Sequence, residues 1–137
     1  MTNGLHHLFY VSTCIDTLEE GAIHGILDEA RAHNAAHSIT GVLIYSGSHF
    51  AQVLEGTESD LKALMASIRS DVRHRDVRTL LSEPLAERRF KDWSMGFTFD
   101  LSVADLLGEL ASASVDAPRA SRLIELVFRR AELKRLS

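Results

Sequence analysis

Ile39-Thr40-Gly41-Val42-Leu43-Ile44-Tyr45-Ser46-Gly47-Ser48-His49-Phe50-Ala51-Gln52-Val53-Leu54 reads as an antiparallel hairpin. Two runs rich in β-branched, aliphatic and aromatic residues, Ile39 to Tyr45 and Phe50 to Leu54, flank Ser46-Gly47-Ser48, and so short a connection leaves no room for a crossover. In the second arm Phe50, Gln52 and Leu54 share a face, which places one amide in an otherwise apolar row.

The periodicity changes on either side of this hairpin. Upstream, Thr17 to Ala36 repeats Ile23, Ile26, Leu27 and Ala30 at helical spacing. Before it, Leu8, Tyr10 and Ser12 alternate with Phe9 and Val11, a strand covered on both sides. Downstream, Thr57 is an N-cap with Asp60 three residues on, and Leu61, Leu64, Met65, Ile68 and Val72 form a stripe expected to end near His74. Val77 to Leu81 is a further strand, interrupted by Pro84. Trp93 to Phe99 is another, with Trp93, Met95, Phe97 and Phe99 on one face. With right-handed crossovers this order predicts an α/β protein of the α+β kind: a ferredoxin-like β-α-β-β-α-β-β sandwich with a five-stranded mixed sheet, plus two C-terminal helices. Ser102 opens the first of these, before Val103, Leu106, Leu107 and Leu110; Asp116 and Pro118 open the second, which carries Leu123, Ile124, Val127, Ala131 and Leu133, with Phe128 beside them. The pair is expected to cover the sheet face left bare by the first two helices, or to build a dimer across it.

With 137 residues, 45% of them hydrophobic, the chain suits one compact core. A formal charge of -4 argues against nucleic acid as a partner, despite basic groups around residues 73–78 and 129–135. No apolar run approaches the roughly 20 residues that span a bilayer, so no membrane partner is expected and the cytoplasm is the expected location. Cys14 is the single cysteine, and the seven histidines show no metal-ligand spacing, so no metal is expected. Cys-x-x-Cys, His-Glu-x-x-His, phosphate-loop and G-x-S-x-G signatures are lacking, and no catalytic residues are assigned.

Several polar or redox-capable side chains point coreward: Tyr10, Asn34, Gln52, Trp93 and Met95. A buried, unpaired amide costs about 1–3 kcal/mol, so Gln52 needs partners, and Tyr10 on a neighbouring strand is one candidate. From the residues alone, this pair is either a hydrogen bond closing a gap in an ordinary core or part of a site.

The segments Leu8-Phe9-Tyr10-Val11-Ser12, Ala30-Arg31-Ala32-His33-Asn34, Ile39 to Tyr45, Phe50-Ala51-Gln52-Val53-Leu54-Glu55-Gly56, Asp71-Val72-Arg73-His74 and Arg89-Phe90-Lys91-Asp92-Trp93-Ser94-Met95 together resemble the BLUF family of flavin-binding blue-light sensors. Their order and spacing across residues 5 to about 99 carry the match, and the C-terminal helices are similar to those of its short, single-domain members. The resemblance implies residues 1–100 as a flavin-binding photosensor domain and 101–137 as a helical extension packing on the sheet, not an independent domain. It implies non-covalent FAD, with FMN or riboflavin as alternatives, between the first two helices. Tyr10, Gln52, Trp93 and Met95 become the photoactive set; Tyr10, Ile26, Arg31, Asn34, Gln52, Ile68, Asp71 and His74 become the cofactor-binding set, with Ser12 behind them. In this reading Tyr10 donates an electron and a proton, and the rotated or tautomerised Gln52 then makes a stronger hydrogen bond to the ring, shifting absorption to the red. The change would pass through Met95 and Trp93 to the last strand and the C-terminal helices, then to a separate downstream effector protein, and a homo-oligomer is expected. One position departs from the family pattern: Ser67 stands where many members carry a basic residue, and Arg31, Arg69 or water are the candidates to compensate. Two other classes stay open: a ferredoxin-like interaction domain without photochemistry, and a flavin-dependent redox enzyme.

Overall fold

The computed structural model describes residues 4–14, 20–91, 93–112 and 117–136. The expected helix start at Thr17, Asp92 of the matching segments and the Asp116 start signal lie outside them.

The hairpin forms as its sequence requires. β2 (Thr40–Tyr45) and β3 (His49–Thr57) pair antiparallel with Tyr45 opposite Phe50. Ser46 N donates to His49 O at 3.1 Å, and Gly47 takes φ 98°, a conformation that a side chain would resist at this turn. Around the hairpin lie β1 (Leu5–Cys14), α1 (Glu20–Ala36), α2 (Glu58–Ser70), β4 (His74–Pro84) and β5 (Gly96–Phe99). The sheet order is β4-β1-β3-β2-β5, with every neighbouring pair antiparallel except β2 and β5, which are parallel. This is the expected ferredoxin-like arrangement with a fifth strand added at one edge.

Alternation along the strands fills both faces. On one, Leu8, Tyr10, Leu43, Phe50 and Leu54 pack against Ile23 and Leu27 of α1 and Leu61 and Met65 of α2. On the other, Phe9, Val11, Val42, Ala51 and Val53 meet Leu107 and Leu110 of α3 (Ala104–Ala111) and Leu123, Val127 and Phe128 of α4 (Ala117–Leu136). Phe9 is fully buried and meets Phe128 edge-on at 5.4 Å. Burying an aromatic of this size contributes about 1.5–3 kcal/mol. The C-terminal helices therefore rest on the bare sheet face.

Several boundaries differ from the sequence reading: β4 (His74–Pro84) outruns the expected 77–81, Asp100 rather than Ser102 caps the turn that leads into α3, and two further shifts bear on the site. Thr57 caps α2 through Asp60 N at 3.2 Å, but the helix stops at Ser70, where Asp71 turns extended. Val72 is consequently 83% exposed rather than part of the apolar stripe, and His74 opens β4. At the far edge β5 begins at Gly96, not Trp93. Strand alternation thus does not extend to Trp93, which packs with Phe90 on the α3–α4 side while Met95 faces α1 and α2. A Cβ at Gly96 would lie 1.9 Å from the Trp93 ring, so only glycine permits this placement.

α4 is fastened to the end of β5 by Asp100. Its Oδ1 accepts from Ser102 N at 3.0 Å and Ser102 Oγ at 2.5 Å, and its Oδ2 accepts from Arg130 Nε at 2.6 Å. Burial alone would raise the carboxyl pKa; the Ser102 hydrogen bonds and then Arg130 outweigh burial and hold it below the ordinary 3.8. A depressed carboxyl contributes stability above its unfolded value and loses it as pH falls through the folded one. Asp100→Asn is therefore expected to lower the thermal midpoint by about 3–6 °C near neutral pH, the effect of roughly 1 kcal/mol at this chain length. The gap from the unsubstituted protein should hold down to about pH 5 and close below about pH 4, which melts recorded across pH would check.

Candidate functional site

The strand register brings Tyr10 and Gln52 together. They are direct partners across the β1–β3 pair, and Tyr10 OH donates to Gln52 Oε1 at 2.5 Å. The Gln52 Nε2 then points at Met95 Sδ, 3.4 Å away. All three side chains are buried. The phenol proton fixes which end of the amide faces it, because a thioether cannot donate. Gln52 therefore makes one strong and one weak hydrogen bond. Turning it end for end would set Nε2 against the phenol oxygen and Oε1 against a sulfur that offers no proton, a difference on the order of one hydrogen bond, about 1 kcal/mol. Burial, reinforced by the negative charge of Asp71, pushes the Tyr10 pKa well above its ordinary value of 10.0 and keeps the phenol protonated.

This pair opens onto a cavity of about 250 Å³ between α1 and α2. Leu43 and Phe50 join Tyr10 and Gln52 on the sheet side; Ile26, Ala30, Leu64 and Ile68 come from the helices. Asn34, 1% exposed, also lines it. Its Nδ2 donates to Ser94 O at 2.8 Å, while its buried Oδ1 has no hydrogen-bond partner among the described residues. An orphaned buried acceptor costs roughly 1–3 kcal/mol. It fits a ligand that brings an N–H into an apolar slot, as the imide edge of an isoalloxazine ring does. The donor and acceptor chemistry of the slot thus suits a flavin.

Residues 5–96 match the family model of BLUF, described as sensors of blue-light using FAD. The chain belongs to the BLUF family. Photoactivated adenylate cyclase subunit beta of Euglena longa is 32% identical over 113 residues, covering 77% of this BLUF chain and 13% of that protein. The blue light- and temperature-regulated antirepressor BluF of Escherichia coli (strain K12) is 35% identical over 94 residues, 69% of this chain and 23% of that protein. The chain thus spans less than a quarter of these two curated relatives. Among solved structures, the dark state of the BLUF protein BlrB superposes with a TM-score of 0.73 at 30% identity, covering 90% of this chain and 94% of that one.

In this BLUF chain the cavity collects Tyr10, Ile26, Asn34, Gln52, Ile68, Asp71 and His74 from the expected cofactor-binding set. Arg31 is not among its lining residues: its Nε donates to Met95 O at 3.0 Å, because this turn of α1 faces the 94–95 segment. Trp93 lies across the sheet from the cavity, in the place that the bare Gly96 backbone leaves for its ring. His74 is fixed by two contacts, Nε2 to Ile68 O at 2.6 Å and Nδ1 to Ser12 Oγ at 2.7 Å. A carbonyl can only accept, so Nε2 carries a proton, and in the neutral ring Nδ1 accepts from the Ser12 hydroxyl. Ser67 lines the cavity, and neither arginine expected to compensate for it does: Arg69 Nη2 instead donates to Thr79 Oγ1 at 2.9 Å.

Glu29, His33, Arg73, Leu43 and Phe50 also line the cavity and were not in the expected set. Arg73 Nε reaches Asp71 Oδ1 at 2.9 Å and its Nη2 lies 3.6 Å from Glu29 Oε2. Hydrogen bonding to Arg73 holds the Asp71 carboxyl below its ordinary value. Phe50 had a legible signal, its place two residues before Gln52 on one strand face; Glu29, His33 and Arg73 had none, since solvated acids and bases look alike in sequence.

Among the described residues no helix is long and apolar enough to cross a membrane.

Proposed function

We propose that this chain is a blue-light photoreceptor that binds FAD without a covalent bond and stores the light signal in the orientation of the Gln52 amide. The observation that carries the reading is the buried row Tyr10 OH, Gln52 amide and Met95 Sδ beside a cavity with an orphaned acceptor. Bound there, a flavin supplies blue-light absorption and a transient acceptor for one electron. Asn34 Oδ1 would accept its N–H, Ile26 and Ile68 would enclose it, and Asp71 and His74 would border it. FAD follows the family description rather than any contact to a phosphate, and FMN or riboflavin would meet the same slot.

Tyr10 gives up an electron, and its proton moves toward Gln52 Oε1, along the 2.5 Å hydrogen bond already in place. Electron and proton return to the phenol afterwards. The amide, freed from its donor in the interval, settles with its donor and acceptor ends exchanged, rotated or tautomerised. No bond to another molecule is made or broken, a tautomerised amide merely moving one of its own protons from nitrogen to oxygen, so the chain acts as a sensor and not as an enzyme.

Residues 1–100 form the sensor in this proposal and 101–137 the extension that reads it. Met95 feels the changed amide directly, and Asp100–Arg130 links β5 to α4. From that helical layer the signal passes to a separate effector protein, in the cytoplasm, with a homo-oligomer as the functional form. Trp93, stacked on Phe90, takes part from the α3–α4 side rather than from the cavity.

A light-minus-dark absorption spectrum of the flavin-loaded chain, followed through recovery, tests the proposal. A red shift that reverses in darkness is expected. Flavin turnover with a reductant and no shift would point to a redox enzyme, and failure to take up flavin would point to an interaction domain.

A further inference from the structure

β3 carries two buried polar residues on opposite faces: Gln52 toward the cavity, and Glu55, fully buried, toward the other side. Glu55 is not part of the cavity lining. Its Oε1 accepts from Thr40 Oγ1 at 2.9 Å and from Phe90 N at 3.1 Å, and its Oε2 accepts from Arg89 N at 2.7 Å. Arg88 Nη1 adds bonds to Thr40 Oγ1 at 2.7 Å and to Glu55 O at 3.0 Å. A carboxyl group buried this deeply is expensive unless its lone pairs are met, and here two are met by consecutive backbone N–H groups of one loop.

That loop leads to the switch. Residues 88–91 and 93–95 belong to neither a helix nor a strand, so the backbone bonds of the segment have to be found elsewhere. Trp93 N donates to Phe90 O at 3.0 Å, and Gly41 N to Trp93 O at 2.9 Å. Asn34 Nδ2 and Arg31 Nε then hold Ser94 O and Met95 O. The segment ends with Met95 Sδ set 3.4 Å from Gln52 Nε2. Glu55 is thus the anchor at one end of a fastened segment whose other end touches the amide.

We infer that Glu55 is a positioning residue of the photoresponse: by holding the backbone at Arg89 and Phe90 it sets Met95 Sδ against Gln52 and so fixes how fast the dark orientation returns. The inference rests on the photoreceptor reading above.

The test compares unsubstituted protein, Glu55→Gln, Met95→Leu and the double variant, all flavin-loaded. Gln keeps one acceptor but presents an NH2 where the second backbone N–H needs a lone pair. Glu55→Gln alone is expected to change the dark-recovery rate by about three- to tenfold, the effect of one altered hydrogen bond. In the Met95→Leu background the same substitution should leave recovery nearly unchanged, while lowering the melting midpoint equally in both backgrounds. The Met95 methyl NMR signal in darkness, with or without flavin, should also move in Glu55→Gln. Equal changes in recovery in both backgrounds would make Glu55 merely structural, and an unmoved Met95 signal or unaltered recovery would equally overturn the inference. Should Glu55→Gln not fold, Thr40→Val removes a single donor to Oε1 and should give a smaller change that Met95→Leu again abolishes. An unsubstituted chain that loads flavin but shows no light response would instead sink the photoreceptor reading.

Discussion

Tyr10→Phe is expected to leave flavin bound and to abolish the persistent light-induced shift. Phe occupies nearly the same volume on β1, so the cavity wall and the β1–β3 register are kept. What disappears is the hydroxyl that donates to Gln52 Oε1. Its loss strands a buried acceptor at a cost of about 1–3 kcal/mol, enough to lower stability measurably but not to unfold a domain of ordinary stability. Function suffers more, because phenylalanine is a far poorer electron donor than a phenol and has no proton to release with the electron. The unsubstituted phenol suits that role, since burial and the charge of Asp71 hold it protonated through and beyond the pH at which an exposed tyrosine would ionise. Its donor hydrogen bond therefore persists across the whole neutral range. The check is flavin content together with the light-minus-dark spectrum. A normal photocycle in a fully loaded Tyr10→Phe protein would remove Tyr10 from its role.

How far the sequence could be read follows from where regular periodicity applies. Tyr10 and Gln52 sit inside long paired strands covered on both sides, so alternation alone made both inward-pointing, and their direct pairing follows from the register. Thr57 was legible as a cap because capping is local. Trp93 was not, because the segment before Gly96 is fixed by hydrogen bonds to Glu55, Gly41 and Asn34 on distant elements, which no period encodes. Arg31 shows the same limit. The resemblance implied a ligand contact for it, yet its guanidinium is drawn to the Met95 carbonyl, a partner 64 residues away. Val72 continued a helical stripe that the extended backbone at Asp71 had already ended. The resemblance to BLUF supplied the flavin itself, which neither charge nor periodicity contains.

Gln52→Ala should remove the persistent shift as completely as Tyr10→Phe, but by a different route, and the difference is measurable. Here the phenol remains and can still surrender its electron, so flavin fluorescence should stay quenched relative to Tyr10→Phe. The amide that would keep the record of the event is gone. Alanine leaves Tyr10 OH without its acceptor and Met95 Sδ without its donor, and it enlarges a cavity of about 250 Å³, so weaker flavin binding is also expected. Loading must therefore be measured before the photocycle is scored. Met95→Leu is the useful contrast: it removes the weak sulfur contact but leaves Tyr10 and the amide in place, and a shift should survive with altered recovery. A loaded Gln52→Ala protein that still held a persistent, reversible shift would show that the memory lies elsewhere. The thioether could not be its seat, since sulfur has no proton to exchange, and a group able to both donate and accept would have to be sought outside the Tyr10–Gln52–Met95 row.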